Sequence, residues 1–140
     1  ASFAGLPAAE CEELRLFGNE LGSAFQIIDD TLDFSGADAV MGKDIGNDFF
    51  TGKVTLPTIY ALEASPAETR EEIFRLFASP TEEGREKLNS IVKNTGALER
   101  CVATAGEVAS RAASRLEAFP ESVSRGILAD LSRFIVERVY

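Results

Sequence analysis

Between Leu14 and Leu32 apolar residues recur at steps of three and four: Leu14, Phe17, Leu21, Phe25, Ile28 and Leu32. At about 100° per residue these positions share one side of an α-helix. The same spacing returns at Val102, Ala105, Ala109, Ala112, Leu116 and Phe119, and again at Ile127, Leu128, Leu131, Phe134 and Ile135, expected to be the inward side of the last helix. Alternating β-branched runs and Asn-Gly hairpin signals are missing. The chain is therefore expected to be all-α, one helical bundle over residues 1–140. A balance of 45% hydrophobic and 26% charged residues suits a single core.

Local punctuation divides the bundle. The first helix is expected from near Pro7 to about Asp33, and Gly36 and Gly42 bracket a loop that ends near Gly52. A short helix is placed by Pro57. Ser65-Pro66-Ala67-Glu68 and Ser79-Pro80-Thr81-Glu82 have the form of capping boxes, the first opening a helix to about Phe77. Gly96 marks the next break, a helix spans Ala97 to Phe119, and the last runs from Glu121 to about Arg138 after Pro120.

Composition removes several kinds of chemistry. Histidine is absent, which excludes Ser/His/Asp and Cys/His nucleophiles and imidazole-ligated zinc. Cys11 and Cys101 have no metal-ligand spacing and are expected to be reduced thiols. A formal charge of −9 offers nothing to a phosphate backbone, so no nucleic-acid partner is expected. No apolar run approaches the ~18 residues of a membrane span, and no basic leader opens the chain; a cytoplasmic protein without a transmembrane segment is expected.

Against that background the stretch AFQIIDDTLDFSG carries an electrostatic problem. Asp29, Asp30 and Asp33 fall on one side of the first helix beside Gln26 and Gly22, with Asp29 and Asp33 an i, i+4 pair. Carboxylates in a last helical turn oppose the macrodipole by ~0.3–1 kcal/mol each, and like charges one turn apart add to this. A compensating cation is expected. The candidates are a hard ion such as Mg2+ and the lysines Lys43 in GKDIGND and Lys53 in GKVTLP. Acids, metal and two lysines together would cradle a diphosphate. Alone, such an acidic triplet more often describes a solvated face than a metal site, and each Gly-Lys an ordinary loop rather than a phosphate ligand; order and spacing favour a site.

The ordered segments LGSAFQIIDDTLD, GKDIGND and GKVTLPTIYAL resemble the second aspartate-rich region of the trans-prenyltransferases, the all-trans polyprenyl diphosphate synthases. Weaker likeness continues through KNTGALERC and LADLSRFIVERVY, closest to long-chain octaprenyl or decaprenyl synthases that make ubiquinone side chains. The resemblance implies the C-terminal portion of the isoprenoid synthase fold, a homodimer in the whole protein, and condensation of an allylic diphosphate with isopentenyl diphosphate, with Mg2+ as cofactor. It implies Asp29 as a direct metal ligand and Asp30 and Asp33 as further ligands or holders of metal-bound water, with Asp48 supporting the water shell. Lys43 and Lys53 are implied to grip the allylic diphosphate, Phe25 and Gln26 to line the cavity beside the allylic carbons, and Arg138 to reach isopentenyl diphosphate. The family's earlier aspartate-rich motif, its basic residues for isopentenyl diphosphate and a Lys-Thr pair do not occur in the sequence. A fragment with little or no synthase activity alone is therefore expected. The alternative is a non-catalytic partner subunit acting by helix packing; a terpene cyclase is disfavoured by the second DDxxD and by GKVTLP.

Overall fold

Seven α-helices account for most of the described chain: α1 (Ala8–Ser35), α2 (Asn47–Phe50), α3 (Leu56–Ala64), α4 (Ala67–Ala78), α5 (Glu82–Asn94), α6 (Ala97–Arg115) and α7 (Val123–Glu137), with one 3-10 turn at Leu116–Ala118. The structure is a computed structural model and describes residues 5–35 and 47–138. No strand occurs among the described residues, as the apolar period requires. The chain forms two compact units, one from Ala1–Ile28 with Ala103–Tyr140 and one from Asp29–Val102.

In the unit of residues 29–102, α3, α4 and α5 close around Phe34, Phe49, Ala61, Ile73, Leu88, Val92 and Ala97, all buried. Phe49 meets Phe77 edge to face, ring centroids 5.2 Å apart. Gly96 (φ +70°) takes the left-handed conformation just past α5, where a side chain would be strained, so α6 can start at the next residue.

The other unit packs Phe17 of α1 against Ala112 and Leu116, with Leu21, Leu128 and Ala129 around them. Arg115 ties α6 to two successive turns of α1: its Nε and Nη2 donate to the Glu20 carboxylate at 3.2 and 3.1 Å, and its Nη1 donates to Glu13 at 3.3 Å. That fork holds the Glu20 carboxyl below its ordinary range.

Several local expectations need correction. The buried line of α1 is Phe17, Ala24, Ile28, Thr31 and Leu32, rotated so that Phe25 lies at its margin and is exposed. On α7, Ile135 is buried and Leu128 packs on the core, but Ile127, Leu131 and Phe134 are exposed. Part of the loop before Gly52 is the single turn of α2. The first capping box is not formed: α4 begins at Ala67 with Pro66 in the cap position, and Ser65 instead ends α3. In the second, Thr81 rather than Ser79 caps α5, accepting from the Gly84 N–H at 3.0 Å.

Candidate functional site

The acidic end of α1 lies in the unit of residues 29–102, and so do α2 and the turn that follows it. The sequence builds this turn from an anchor and a hinge. Phe49 is sunk in the apolar core, which orients α2 and leaves the preceding Asp48 half-buried at its edge. Gly52 adopts φ +73°, with its N–H bonded to the Phe49 carbonyl at 3.1 Å; Lys53 then bonds back to the Asp48 carbonyl at 2.8 Å. The Thr51 hydroxyl donates to that same carbonyl at 3.1 Å.

This fold-back brings the Lys53 ammonium to 3.0 Å from Asp48 Oδ2 and 3.4 Å from Asp30 Oδ1. One cation thus joins carboxylates 18 residues apart in sequence, on two different helices. The hydrogen bond to Asp48, with the charge of Asp30 behind it, raises the Lys53 pKa above its ordinary value. Lys53 stays an ammonium with about half its side chain in solvent, while the two acids are largely covered (side chains 52%, 24% and 12% exposed for Lys53, Asp48 and Asp30). The arrangement can present a fixed positive charge to an anion and two oxygen donors to a metal.

Beneath the acids the packing is close. Thr31, between Asp30 and Asp33, is buried and hydrogen-bonds the Cys101 thiol. Burial pushes Cys101 up to about 11, so it is an inert thiol at neutral pH, as expected; Cys11 is also free and half-buried. Thr31 and Cys101 were not legible as neighbours, because 70 residues separate them. Thr55 and Thr58, just past Lys53, are buried with hydroxyls that have no hydrogen-bond partner among the described residues.

Of the other site residues expected from sequence, Asp29 and Asp33 are half-buried on the same helix end. Among the described residues no three His, Cys, Asp or Glu side chains converge to hold a metal ion, so the aspartates form no closed cage. Lys43 lies outside the described residues. Phe25 and Arg138 belong to the other unit, where the Arg138 guanidinium stands 5.2 Å from the centre of the Phe25 ring. Gln26 is exposed one residue on. No helix among the described residues is long and apolar enough to cross a membrane.

The all-α framework is shared with solved polyprenyl synthases. The structure of such a synthase from Caulobacter crescentus, complexed with calcium and isoprenyl diphosphate, superposes with a TM-score of 0.88 at 36% identity over 96% of this chain and 42% of that one. A polyprenyl synthetase family model matches residues 1–97, and the chain belongs to that family. It is 41% identical, over 99% of its length, to an all-trans-nonaprenyl-diphosphate synthase (geranyl-diphosphate specific) of Rhodobacter capsulatus, and 35% identical over 98% to heptaprenyl diphosphate synthase component 2 of Geobacillus stearothermophilus. The chain spans 42% of the length of each of these two relatives.

Proposed function

We propose that this chain supplies the metal- and diphosphate-binding part of a prenyltransferase that condenses an allylic diphosphate with isopentenyl diphosphate. The observation that carries it is the meeting of Asp30 and Asp48 on Lys53, two acids and a fixed cation from separate helices at one surface, in a chain of this family. A non-catalytic partner subunit has no chemical need for covered acids held against a lysine.

The residues present fit Mg2+. Carboxylates are hard oxygen donors, and this ion is commonly held by one or two of them while water and phosphate oxygens complete its shell, so a three-acid cage is not required. Asp29, Asp30 and Asp33 would hold it, with Asp48 orienting bound water. When bound, the ion supplies positive charge at the oxygens of the departing diphosphate.

The chain's own residues do the rest. Lys53, with Lys43, takes diphosphate oxygens that the metal leaves free and keeps its proton because its neighbours are acids. The exposed ring of Phe25 and the amide of Gln26 flank the allylic carbons, and Arg138 binds the second diphosphate. The same proposal includes a long-chain product for quinone side chains, a homodimer and a cytoplasmic setting. The nonaprenyl relative supports the product class; the component 2 relative shows that family members also occur in systems with more than one component.

A thermal-shift experiment with a non-hydrolysable allylic diphosphate analogue tests the site. Mg2+ and analogue together should raise Tm by several degrees more than the sum of each alone, and Asp30→Asn or Lys53→Ala should abolish that excess. An equal rise without metal, or an unchanged excess in both variants, sinks the proposal.

A further inference from the structure

The direction in which the three acids of α1 point depends on the rotation of the helix end. At about 100° per residue Thr31 lies roughly opposite Asp29 and Asp33 and about a quarter-turn from Asp30, so the setting of Thr31 fixes all three. Its buried neighbours in the same unit, Leu32 and Phe34, are apolar. Apolar contacts carry no direction and tolerate a small rotation; a hydrogen bond does not. Thr31 supplies one. It is 1% exposed, and its hydroxyl is hydrogen-bonded to the thiol of Cys101, which is 0% exposed. The charge of Asp30 reaches the same thiol, so this bond lies directly beneath the acids.

Cys101 is a fixed reference because its own turn of α6 is tied to α3. The adjacent Arg100 donates from Nη1 to Glu63 Oε2 at 2.6 Å, and its guanidinium stands 3.7 Å from the centre of the Tyr60 ring. Tyr60 and Glu63 both belong to α3, the helix whose approach carries Lys53; Thr55, two residues on, takes the cap position. These contacts close a triangle. α1 meets α6 through Thr31 and Cys101, α6 meets α3 through Arg100, and the approach to α3 returns to α1 through Lys53 and Asp30.

We propose that Thr31 and Cys101 are positioning residues: their bond sets the rotation of the end of α1, and with it the approach of Asp30 to Lys53. Both are too deeply buried to touch an ion or a diphosphate themselves. Their purpose rests on the metal- and diphosphate-binding reading of these acids; the geometry they set can be measured without a ligand.

Zero-length carbodiimide coupling reads that geometry. In the 140-residue chain without added metal the reagent joins the Lys53 amine to a carboxylate lying against it, water being taken up by the carbodiimide, and mass spectrometry quantifies the linked peptides. Asp48 is the internal standard, because the turn through Gly52 fixes its contact with Lys53 independently of α6. The measured quantity is the yield of Lys53–Asp30 linkage over Lys53–Asp48 linkage. Thr31→Val and Cys101→Ala should each lower it about fivefold, the scale of one lost hydrogen bond. Thr31→Ser keeps the hydroxyl and should leave the ratio near that of the parent even if its Tm falls, which a role in packing alone would not do. Cys101→Ala is the smaller change and decides the matter should Thr31→Val fold poorly. An unchanged ratio in either folded variant, or a fall in Thr31→Ser as large as in Thr31→Val, overturns the proposal. The thermal-shift excess with Mg2+ and the allylic diphosphate analogue should fall in step with the ratio; an excess that holds while the ratio drops also overturns it. A parent without any excess sinks the functional reading instead, and the linkage ratio alone then decides whether Thr31 and Cys101 position the acid.

Discussion

Lys53 bridges two acids from different helices, and its removal separates its structural role from its binding role. In Lys53→Met, Asp30 and Asp48 lose their shared cation, and because the ammonium is half in solvent the loss of stability should stay below about 1 kcal/mol. Mg2+ should recover the loss in the variant more than it stabilises the parent, read as denaturant midpoints with and without the ion; equal Mg2+ effects would refute the idea that metal and lysine serve the same acids. Thr58 makes the opposite case. It sits in the first turn of α3, where no helical carbonyl lies four residues back for its hydroxyl, and its oxygen is buried without a partner among the described residues. Thr58→Val removes a polar atom at nearly constant volume, so Tm should hold or rise, equivalent to ~0–1 kcal/mol; a clear fall would show that the hydroxyl has a partner. Cys101 gives a pH signature. Its folded pKa is raised to about 11 from an ordinary 9.0, so the folded state keeps a proton that the unfolded chain releases. Its contribution is fully present below about pH 9 and is lost as pH climbs through 11. Cys101→Ala should flatten that part of the stability profile relative to the parent, whatever the lysines and tyrosines contribute to both.

At the scale of the element, caps decide which of the Ser and Thr residues at helix boundaries matter. Thr81 accepts from the Gly84 N–H and Ser122 from the Arg125 N–H, so Thr81→Ala and Ser122→Ala should each cost ~0.5–2 kcal/mol. Ser79→Ala should stay within about 0.5 kcal/mol, since that residue is exposed and caps no helix start. Urea midpoints in the order Ser79→Ala above Thr81→Ala and Ser122→Ala would bear this out; the reverse order would not. The same residues show how much of the fold could be read from the chain. Both Ser-Pro-x-Glu segments correctly announced helices, because proline and a cap-forming residue bias the backbone locally. Which hydroxyl does the capping was not legible, since it depends on a one-residue shift in where the helix begins. The inward side of α1 was read slightly rotated for a related reason: large side chains drew the line through Phe25, whereas close packing selected the small Ala24. The pairing of Lys53 with Asp30 and Asp48 was only half legible. Sequence marks acids and lysines as complementary, but Gly52's left-handed turn and Phe49's burial decide which of them meet.

For the whole molecule the dominant electrostatic fact is an excess of nine negative charges, 23 acids against 14 bases. Their mutual repulsion acts over many ångströms and opposes any compact state. The attractive pairs are short: Arg115 lies 3.1 to 3.3 Å from its carboxylate partners, and Lys53 3.0 to 3.4 Å from its own. Raising monovalent salt from 0.01 to 0.1 M shortens the Debye length from about 30 to about 10 Å, which removes the long-range repulsion while leaving contacts at hydrogen-bond distance largely intact. Tm should therefore rise over that range at pH 7. Arg115→Gln should have a lower Tm at every salt concentration but a steeper rise, because the variant carries one more net negative charge and has lost the attractive fork. A Tm that falls with salt in the parent would mean that the short pairs outweigh the net charge.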